Sequence, residues 1–243
     1  MTHIPRSLPL PTEIVTSMST DIFKFWAQMK PHERLHPADR DVFSRMGFGH
    51  TFDLRCLPGN FAGPLRTAPV VLLFLSPGFS EMDVVRARSK TWQQYAAAKR
   101  TGRALIRDDS AGYRWLMSRT RVFGLDPEVI RTKFAVMNIG AYHSRDFTDW
   151  HLLAALPSSR VSLDWAQGVL FPQAIRGERV VICMRAASFW GLLPGKCYGK
   201  TLFAPFVTRG GYMRKATLAE AKMRDRIVRV VQRAVHQSTT RST

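Results

Sequence analysis

Four short apolar runs occur along the chain, each bounded by polar or turn residues. They are VVLLFL at 70–75, KFAVMNI at 133–139, RVVICM at 179–184 and TLFAPFV at 201–207. A continuous apolar run of this length is typical of a strand that is covered on both faces, as in a parallel sheet. The pattern therefore predicts four buried parallel strands.

The segments around these runs have helical patterns instead. A first helix is predicted to begin at Ser19 or Thr20 and to bury Ile22, Phe23, Trp26 and Met29. Further helices are predicted at 83–102, 109–120, 161–170, 186–193 and 217–237. In the last of these, Thr217 and Glu220 have the spacing of a capping box. A stripe with i, i+3, i+4, i+7 spacing follows it, made of Ile227, Val230, Val231 and Ala234.

Strands that alternate with helices imply right-handed crossovers and a parallel sheet. The predicted fold class is α/β, a three-layer α/β/α arrangement around a central four-stranded parallel sheet. Residues 1–18 are rich in Pro, Ser and Thr and are predicted to form a flexible arm, and 19–243 a single domain. Residues 54–69 carry Pro and Gly punctuation that favours a loop-rich region before the first strand.

Charge adds a first indication of function. The chain has 36 Lys and Arg against 18 Asp and Glu, a formal net charge of +18. Such a surface attracts polyanions, and nucleic acid is the partner we expect, because neutralised phosphates release their condensed counterions. A ribosome-adjacent or membrane-adjacent protein, or a source whose proteins are Arg-rich in general, remains an alternative explanation of the charge.

The cysteines and the hydropathy pattern restrict the class further. Cys56, Cys183 and Cys197 are odd in number and form no C-x-x-C pair, so neither a disulfide framework nor a zinc or iron–sulfur site is indicated. No apolar stretch has the length of a signal-peptide core or a membrane span. We expect a cytoplasmic protein that needs no metal and no cofactor and has no membrane partner; the oligomeric state stays open.

Ligands of open parallel sheets bind beyond the carboxyl ends of the strands, where the strand order reverses. The first strand is followed by Ser76, Pro77, Gly78 and Phe79. Pro77 fixes its φ angle and Gly78 can adopt a positive φ, so this turn is expected to hold Phe79 and the backbone amides over a ligand plane.

The other strand ends also carry polar side chains. Asn138 ends the second strand and offers both a donor and an acceptor for the edge of a base. Tyr142, His143, Ser144 and Arg145 follow it, and Arg185 follows the third strand. After the fourth strand, a basic, aromatic and Gly-containing segment is expected to be mobile and to grip phosphates, with Thr208, Arg209, Tyr212, Arg214 and Lys215.

The order of these motifs resembles that of the uracil-DNA glycosylase-like superfamily. The motifs are APVVLLFLSPGFSEMD, FAVMNIGAYHS, VVICMRAASFWG and LFAPFVTRGGY, and the likeness covers roughly residues 58 to 215. It is nearest to bacterial members with an N-P-G turn after the first strand. The resemblance implies a four-stranded parallel α/β fold that binds DNA and hydrolyses the N-glycosidic bond of an extruded, damaged or deaminated base.

The resemblance also assigns roles to residues. Phe79, supported by Pro77 and Gly78, corresponds to the stacking residue, and Asn138 to the base reader, with Tyr142 beside it. Ser76 stands where the family has Asp or Asn; a serine can hold the water but is no base at neutral pH. The expected His-Pro-Ser motif is replaced by APFVTRGGY. Arg209 or His143 is then the candidate to stabilise the departing base. Arg185, Thr208, Arg209, Arg214 and Lys215 are the candidate nucleic-acid contacts.

Each assignment has a purely structural alternative. Asn138 can cap its strand, Phe79 can be a buried anchor, and Ser76 can be a turn former. His143 can be an ordinary surface histidine, and the Arg-rich last helix a solvated face. Trp92, Trp115, Trp150, Trp165 and Trp190 are interpreted as core or helix-packing residues.

Two other function classes compete with the glycosylase. A non-catalytic nucleic-acid-binding protein on the same fold is favoured by Ser76 and by the missing histidine. An α/β enzyme acting on a phosphorylated small molecule is favoured only by the generic layout. In SPGFSEMD the acids that follow the single glycine disfavour a phosphate there.

Overall fold

The computed structural model describes residues 21–47 and 49–240, with side chains described through residue 238. The predicted arm at 1–18 and the two predicted caps, Ser19 and Thr20, lie outside these residues. The first described helix is capped by Asp21 instead, whose Oδ1 accepts a hydrogen bond from the backbone N–H of Phe23 at 2.9 Å.

The described strands form a small sheet and a larger central one. In chain order they are β1 Phe52–Asp53, β2 Phe61–Ala62, β3 Val70–Phe74, β4 Phe134–Asn138, β5 His143–Ser144, β6 Val180–Cys183, β7 Lys196–Tyr198 and β8 Leu202–Ala204. The small sheet pairs β1 with β5, antiparallel. The central sheet has the order β2-β4-β3-β6-β8-β7.

The four predicted strands are confirmed as β3, β4, β6 and β8, and all their mutual pairings are parallel. Their register places Phe74 opposite Asn138 and Leu73 opposite Cys183. The central sheet has six strands among the described residues rather than the predicted four. The short β2 and β7 add antiparallel edges to β4 and β8, and two or three residues carry too little periodicity to be recognised in a sequence.

Ten α-helices surround the sheet in the described part of the chain. They are α1 Ile22–Trp26, α2 Arg40–Met46, α3 Glu81–Ala87, α4 Lys90–Arg100, α5 Ala111–Thr120, α6 Pro127–Lys133, α7 Trp150–Ala155, α8 Pro157–Trp165, α9 Phe171–Arg176 and α10 Leu218–Thr240. A π-helical turn, Ala166–Leu170, joins α8 to α9, and the predicted helix at 186–193 is a 3-10 turn, Ala187–Trp190.

The helix predicted at 83–102 is two helices. Ser80 and Asp83 form a capping box at the start of α3, and Ser89 adopts an extended backbone that ends one helix and begins the next. The capping box predicted for α10 is confirmed. The N–H of Glu220 donates to Thr217 Oγ1 at 3.2 Å, and the N–H of Thr217 donates to Glu220 Oε2 at 3.3 Å.

Alternation along β3 divides the core into two layers. Val71 and Leu73 pack on one face with residues of α1, α8 and α9, including Trp26 and Trp165. Val70 and Leu72 pack on the other face with residues of α5, α6 and α10, including Leu116, Ile130, Ile227 and Val231. Helices therefore cover both faces of a mostly parallel sheet, which is the predicted three-layer arrangement.

Within the described residues no helix is both long enough and apolar enough to cross a membrane.

Candidate functional site

A cleft of about 460 Å³ opens at the carboxyl edge of the central sheet. The strand order reverses at β3, because β4 and β6 lie on either side of it and both follow it in the chain. Loops after all four parallel strands reach the cleft, and the predicted residues that line it are Ser76, Pro77, Gly78, Phe79, Asn138, His143, Ser144, Arg145 and Arg185. The cleft therefore lies at the edge of the sheet where the strand-end rule predicts a ligand site.

The turn after β3 is fastened to β5. His143 donates its Nδ1–H to the carbonyl oxygen of Gly78 at 2.7 Å, and the N–H of Ser144 donates to Pro77 O at 3.3 Å. Gly78 does not adopt the positive φ that the sequence predicted, and a Cβ built on it meets no atom within 4 Å. This glycine therefore leaves open space above the turn instead of supplying a special backbone conformation.

Asn138 is held at the end of β4 by the loop that precedes β2. Its Nδ2 donates to Gly59 O at 2.9 Å, and its backbone N–H donates to Asn60 O at 2.7 Å. Asn60 Nδ2 in turn donates to Asn138 O at 2.8 Å. These bonds fix the side-chain amide with its Oδ1 unengaged by any described donor, so this oxygen is available as an acceptor.

The charge state of His143 follows from its surroundings. Burial lowers the pKa of His143 below its ordinary 6.5, and the Asp83 charge and the Gly78 carbonyl only partly oppose this. The Lys99 charge lowers the same pKa further. Asp83 Oδ2 lies 3.7 Å from His143 Nδ1 and also accepts hydrogen bonds from Ser80 N and Ser80 Oγ. The neutral imidazole carries its proton on Nδ1 and donates it to the Gly78 carbonyl oxygen. His143 therefore holds the turn in place and has no further N–H to donate to a ligand.

Tyr142 does not reach the cleft. Its side chain is 1% exposed and packs against Phe43 and Phe52. Its hydroxyl donates to Asp39 Oδ2 at 2.5 Å and accepts from the N–H of His36 at 3.1 Å. Period-2 alternation after Asn138 places it on the side opposite His143, so the expectation of a substrate contact is replaced by a buried polar anchor.

The segment after β8, which was expected to be mobile, forms a hydrogen-bonded hairpin. The N–H of Thr208 donates to Tyr212 O at 2.9 Å, and Val207 bridges Met213. Gly210 and Gly211 line the cleft. Its cationic side chains point elsewhere: Arg209 is 90% exposed and 4.0 Å from Asp146, and Arg214 is 3.3 Å from Glu220.

Of the predicted phosphate contacts, only Arg185 lines the cleft. Burial and the charge of Arg209 lower the pKa of Arg185 from its usual value, so the two guanidinium groups are neighbours at the rim. Thr208, Arg209, Arg214 and Lys215 are exposed outside the cleft. If these four residues contact a polyanion, the contact lies outside the cleft.

One wall of the cleft was missed by the sequence analysis. Helices α3, α4 and α5 contribute Asp83, Arg86, Trp92, Tyr95, Lys99, Trp115 and Arg119. Arginines cover the rings: Arg86 Cζ lies 4.4 Å from the Trp92 centroid, and Arg119 Cζ lies 4.9 Å from that of Trp115. The signal was present in α4, because residues 92, 95, 96 and 99 repeat with helical spacing and end in a lysine.

The tryptophans divide accordingly. Trp165 and Trp190 are buried, as the core interpretation expects. Trp92 and Trp115 are half-buried and line the cleft, and Trp150 is 40% exposed and stacks on Phe189 at 4.5 Å. Trp150 is therefore a helix-packing residue at the surface rather than a core residue, and Trp92 and Trp115 line the cleft in addition to packing.

The side-chain set offers no obvious metal centre. Within the described ranges, no group of three or more His, Cys, Asp or Glu side chains comes together in a way that could hold a metal ion. Cys56, Cys183 and Cys197 are unpaired, and burial raises the pKa of Cys56 and of Cys183 to about 12. These two thiols are therefore poor nucleophiles.

Comparison of the chain with protein-family models, with curated proteins and with solved structures found no match. The resemblance to the uracil-DNA glycosylase-like superfamily therefore stays a hypothesis that depends on short motifs and their order.

Proposed function

We propose that this protein binds nucleic acid with one unpaired base inserted in the cleft, and that its reaction is hydrolysis of the N-glycosidic bond of that base. The observation that carries the proposal is the convergence of Ser76, Phe79 and Asn138, from the ends of two neighbouring strands, on one cleft. A uracil-DNA glycosylase-like fold is part of this proposal, and the four parallel strands support it.

The dimensions and the lining of the cleft suit a planar ring. Small-molecule sites typically have volumes of about 300–1,000 Å³ and a mainly apolar lining with a few polar groups. The cleft lies within that range and is lined by Phe61, Phe74, Phe79 and Trp115 among other apolar side chains. Phe61 and Phe74 are buried, whereas Phe79 and Trp115 are only partly buried, so the latter two rings can give a base a stacking surface without selecting its sequence context.

The electrostatics suit a polyanion that passes the cleft mouth. Five cationic side chains line the cleft, and Asp83 is the carboxylate among the described lining residues. The cations are Arg86, Lys99, Arg119, Arg145 and Arg185. A phosphorylated small molecule held at the start of α3 is disfavoured, because the Asp83 carboxylate lies in the first turn and accepts from the N–H of the N-cap residue Ser80, and because α3 is only seven residues long.

Asn138 supports recognition of a base edge. Its Nδ2 is engaged with Gly59, so Oδ1 faces a ligand as an acceptor and pairs with a ring N–H. Pyrimidines and purines that carry an exocyclic oxygen in place of an amine have such an N–H beside their carbonyl. This geometry therefore accepts deaminated bases and disfavours cytosine and adenine, from which uracil and hypoxanthine arise.

The chemistry requires a positioned water more than a strong nucleophile, because the bond breaks with positive charge on the sugar and negative charge on the base. Ser76 supplies a hydroxyl at the cleft to orient a water. Asp83 supplies a negative charge in the same cleft, and such a charge stabilises a developing cation on the sugar.

A second function, binding without excision, is favoured by a specific observation. His143 is committed to Gly78, and the Arg209 side chain is 90% exposed beside Asp146. Neither candidate from the sequence therefore reaches the departing base. On this alternative, the protein is a single-strand clamp with a retained base pocket.

Fluorescence anisotropy with single-stranded and double-stranded oligonucleotides tests binding. We expect an affinity whose logarithm falls with the logarithm of the salt concentration, and a smaller slope for Arg119→Ala. Arg229→Ala removes the same charge from the exposed face of α10 and serves as the matched control. An affinity that is insensitive to salt, or equal losses in both variants, contradicts the cleft as the binding site.

Excision is tested with oligonucleotides that contain uracil, hypoxanthine or xanthine. Alkali-labile sites that form with the wild-type protein and not with Asn138→Ala support the glycosylase. Salt-dependent binding without alkali-labile sites selects the single-strand clamp instead.

A further inference from the structure

Lys99 places an amine in the lining of the cleft, beside the loop that holds Asn138. It lies in the last turn of α4, and it lines both the cleft and a small side recess formed with Pro58, Asn60 and Phe61. Asn60 is the residue whose amide donates to Asn138 O. Lys99 therefore lies next to the loop that positions the base reader.

The ammonium group of Lys99 has no counter-ion beside it. Among the residues that the structure describes, no carboxylate forms an ion pair with it, and its Nζ lies 5.4 Å from the centroid of the Tyr95 ring. The positive charge of Arg100 lowers the pKa of Lys99, and the negative charge of Asp83 raises it. The charge of Lys99 in turn lowers the pKa of His143. A lysine in this setting is not a structural salt-bridge partner.

Burial and, to a smaller extent, the Arg100 charge lower the pKa of Lys99 from 10.5 to about 8, with Asp83 opposing both. At pH 7 about a tenth of this side chain is consequently a neutral amine, whereas an exposed lysine is almost fully protonated. Neutral amines attack carbonyl carbons, and lysines that are desolvated in this way serve as imine-forming nucleophiles.

We propose that Lys99 forms an imine with the aldehyde carbon of an abasic deoxyribose held in the cleft. This inference rests on the proposed function, because base excision leaves an abasic sugar at the same place. The Lys99 nitrogen attacks C1′ of the ring-opened sugar, and the resulting carbinolamine loses its hydroxyl as water to give the imine.

The imine then has two outcomes. Water adds back to it and releases the sugar and the free lysine unchanged. Alternatively, a base removes the proton at C2′, the electron pair forms a C=C bond, and the 3′-phosphate leaves with the electrons of its C–O bond. Asp83 is the described cleft carboxylate that can accept this proton. The second outcome makes the protein a β-lyase that cuts the strand at abasic sites without an added oxidant or reductant.

Borohydride trapping tests the inference independently of excision. The probe is a fluorescein-labelled single-stranded oligonucleotide with one preformed abasic site, incubated with the full chain and sodium borohydride. We expect a covalent complex on a denaturing gel, and peptide mass spectrometry of the wild-type adduct should place the reduced linkage on Lys99. Lys99→Arg keeps the charge and should lose at least about tenfold of the trapped product.

Lys90→Arg is the matched control, because Lys90 is exposed at the other end of α4 and does not line the cleft. It should trap as the wild type does. Trapping that persists in Lys99→Arg, or an adduct mapped to another amine, overturns the inference. Anisotropy on the same probe separates the two proposals: binding without any trapping overturns the role of Lys99 alone, and no binding overturns the proposed function and this inference together.

Discussion

His143 and Gly78 are joined by a 2.7 Å hydrogen bond from the imidazole Nδ1–H to the glycine carbonyl oxygen. The bond links the turn after β3 to the strand that follows β4, so the two loops that carry Phe79 and Asn138 are held in one arrangement. The Pro77-Gly78 turn therefore has two structural effects. Its Gly78 carbonyl accepts a hydrogen bond from His143, and the glycine leaves open space beside the turn.

His143→Ala should lower the free energy of unfolding by about 1 kcal/mol and weaken nucleic-acid binding, because the turn loses its hydrogen bond. The folded-state pKa of His143 lies below 6.5, so the unfolded chain takes up its proton first and the wild-type advantage should shrink as the pH falls below 6.5. Urea unfolding above and below that pH measures both effects.

His151→Ala is the control for this variant, because His151 is exposed on α7. A difference between wild type and His143→Ala that stays constant across this pH range would falsify the neutral, buried state of the imidazole.

Tyr142→Phe should destabilise the fold without altering the cleft. The hydroxyl satisfies Asp39, which is fully buried, and its loss leaves a carboxylate oxygen short of a donor at a cost of about 1–3 kcal/mol. Oligonucleotide affinity should equal that of the wild type at temperatures where both are folded. Thermal unfolding measures the stability and anisotropy measures the affinity, with Tyr113→Phe as a control. Reduced affinity at unchanged stability would show that Tyr142 contacts the ligand after all.

Gly78→Ala should fold normally and bind poorly. A Cβ at this position meets no protein atom within 4 Å, the backbone φ is not positive, and Gly78 lines the cleft, so we expect the methyl group to be tolerated by the fold and to obstruct a ligand. Gly63→Ala should do the reverse, because Gly63 has φ +84° and its Cβ would lie 2.5 Å from Phe134 O; we expect a loss of more than about 1 kcal/mol. Thermal unfolding and binding of both variants distinguish a ligand-facing glycine from a structural one.

The trapping rate of Lys99 should rise with pH, reach half of its maximum at about pH 8, where half of the amine is neutral, and level off at higher pH. An ordinary lysine would continue to gain reactivity towards its usual pKa of 10.5. Asp83→Asn should move the plateau to lower pH, because this carboxylate raises the pKa of Lys99. A rate that still rises well above the predicted plateau argues against the desolvated state of the amine.

The sequence by itself determined the α/β class, the four parallel strands and the edge of the sheet where the cleft lies. Continuous apolar runs report burial on both faces, and parallel strands direct all their carboxyl ends to one side, so Ser76, Phe79 and Asn138 could be placed together before any coordinates. The capping box of α10 was equally local, because its residues are only three apart.

The tertiary structure alone decided which polar residues face the cleft. Tyr142 and His143 are adjacent in sequence, yet one anchors Asp39 in the core and the other fastens Gly78, and only the pairing of β5 with β1 fixes which face each takes. Lys99 is one of 36 Lys and Arg residues in the sequence, and only the packing of α4 against the loop before β2 distinguishes it from the others. Burial and the absence of a neighbouring counter-ion among the described residues depend on contacts between distant segments, and a linear pattern carries no record of them.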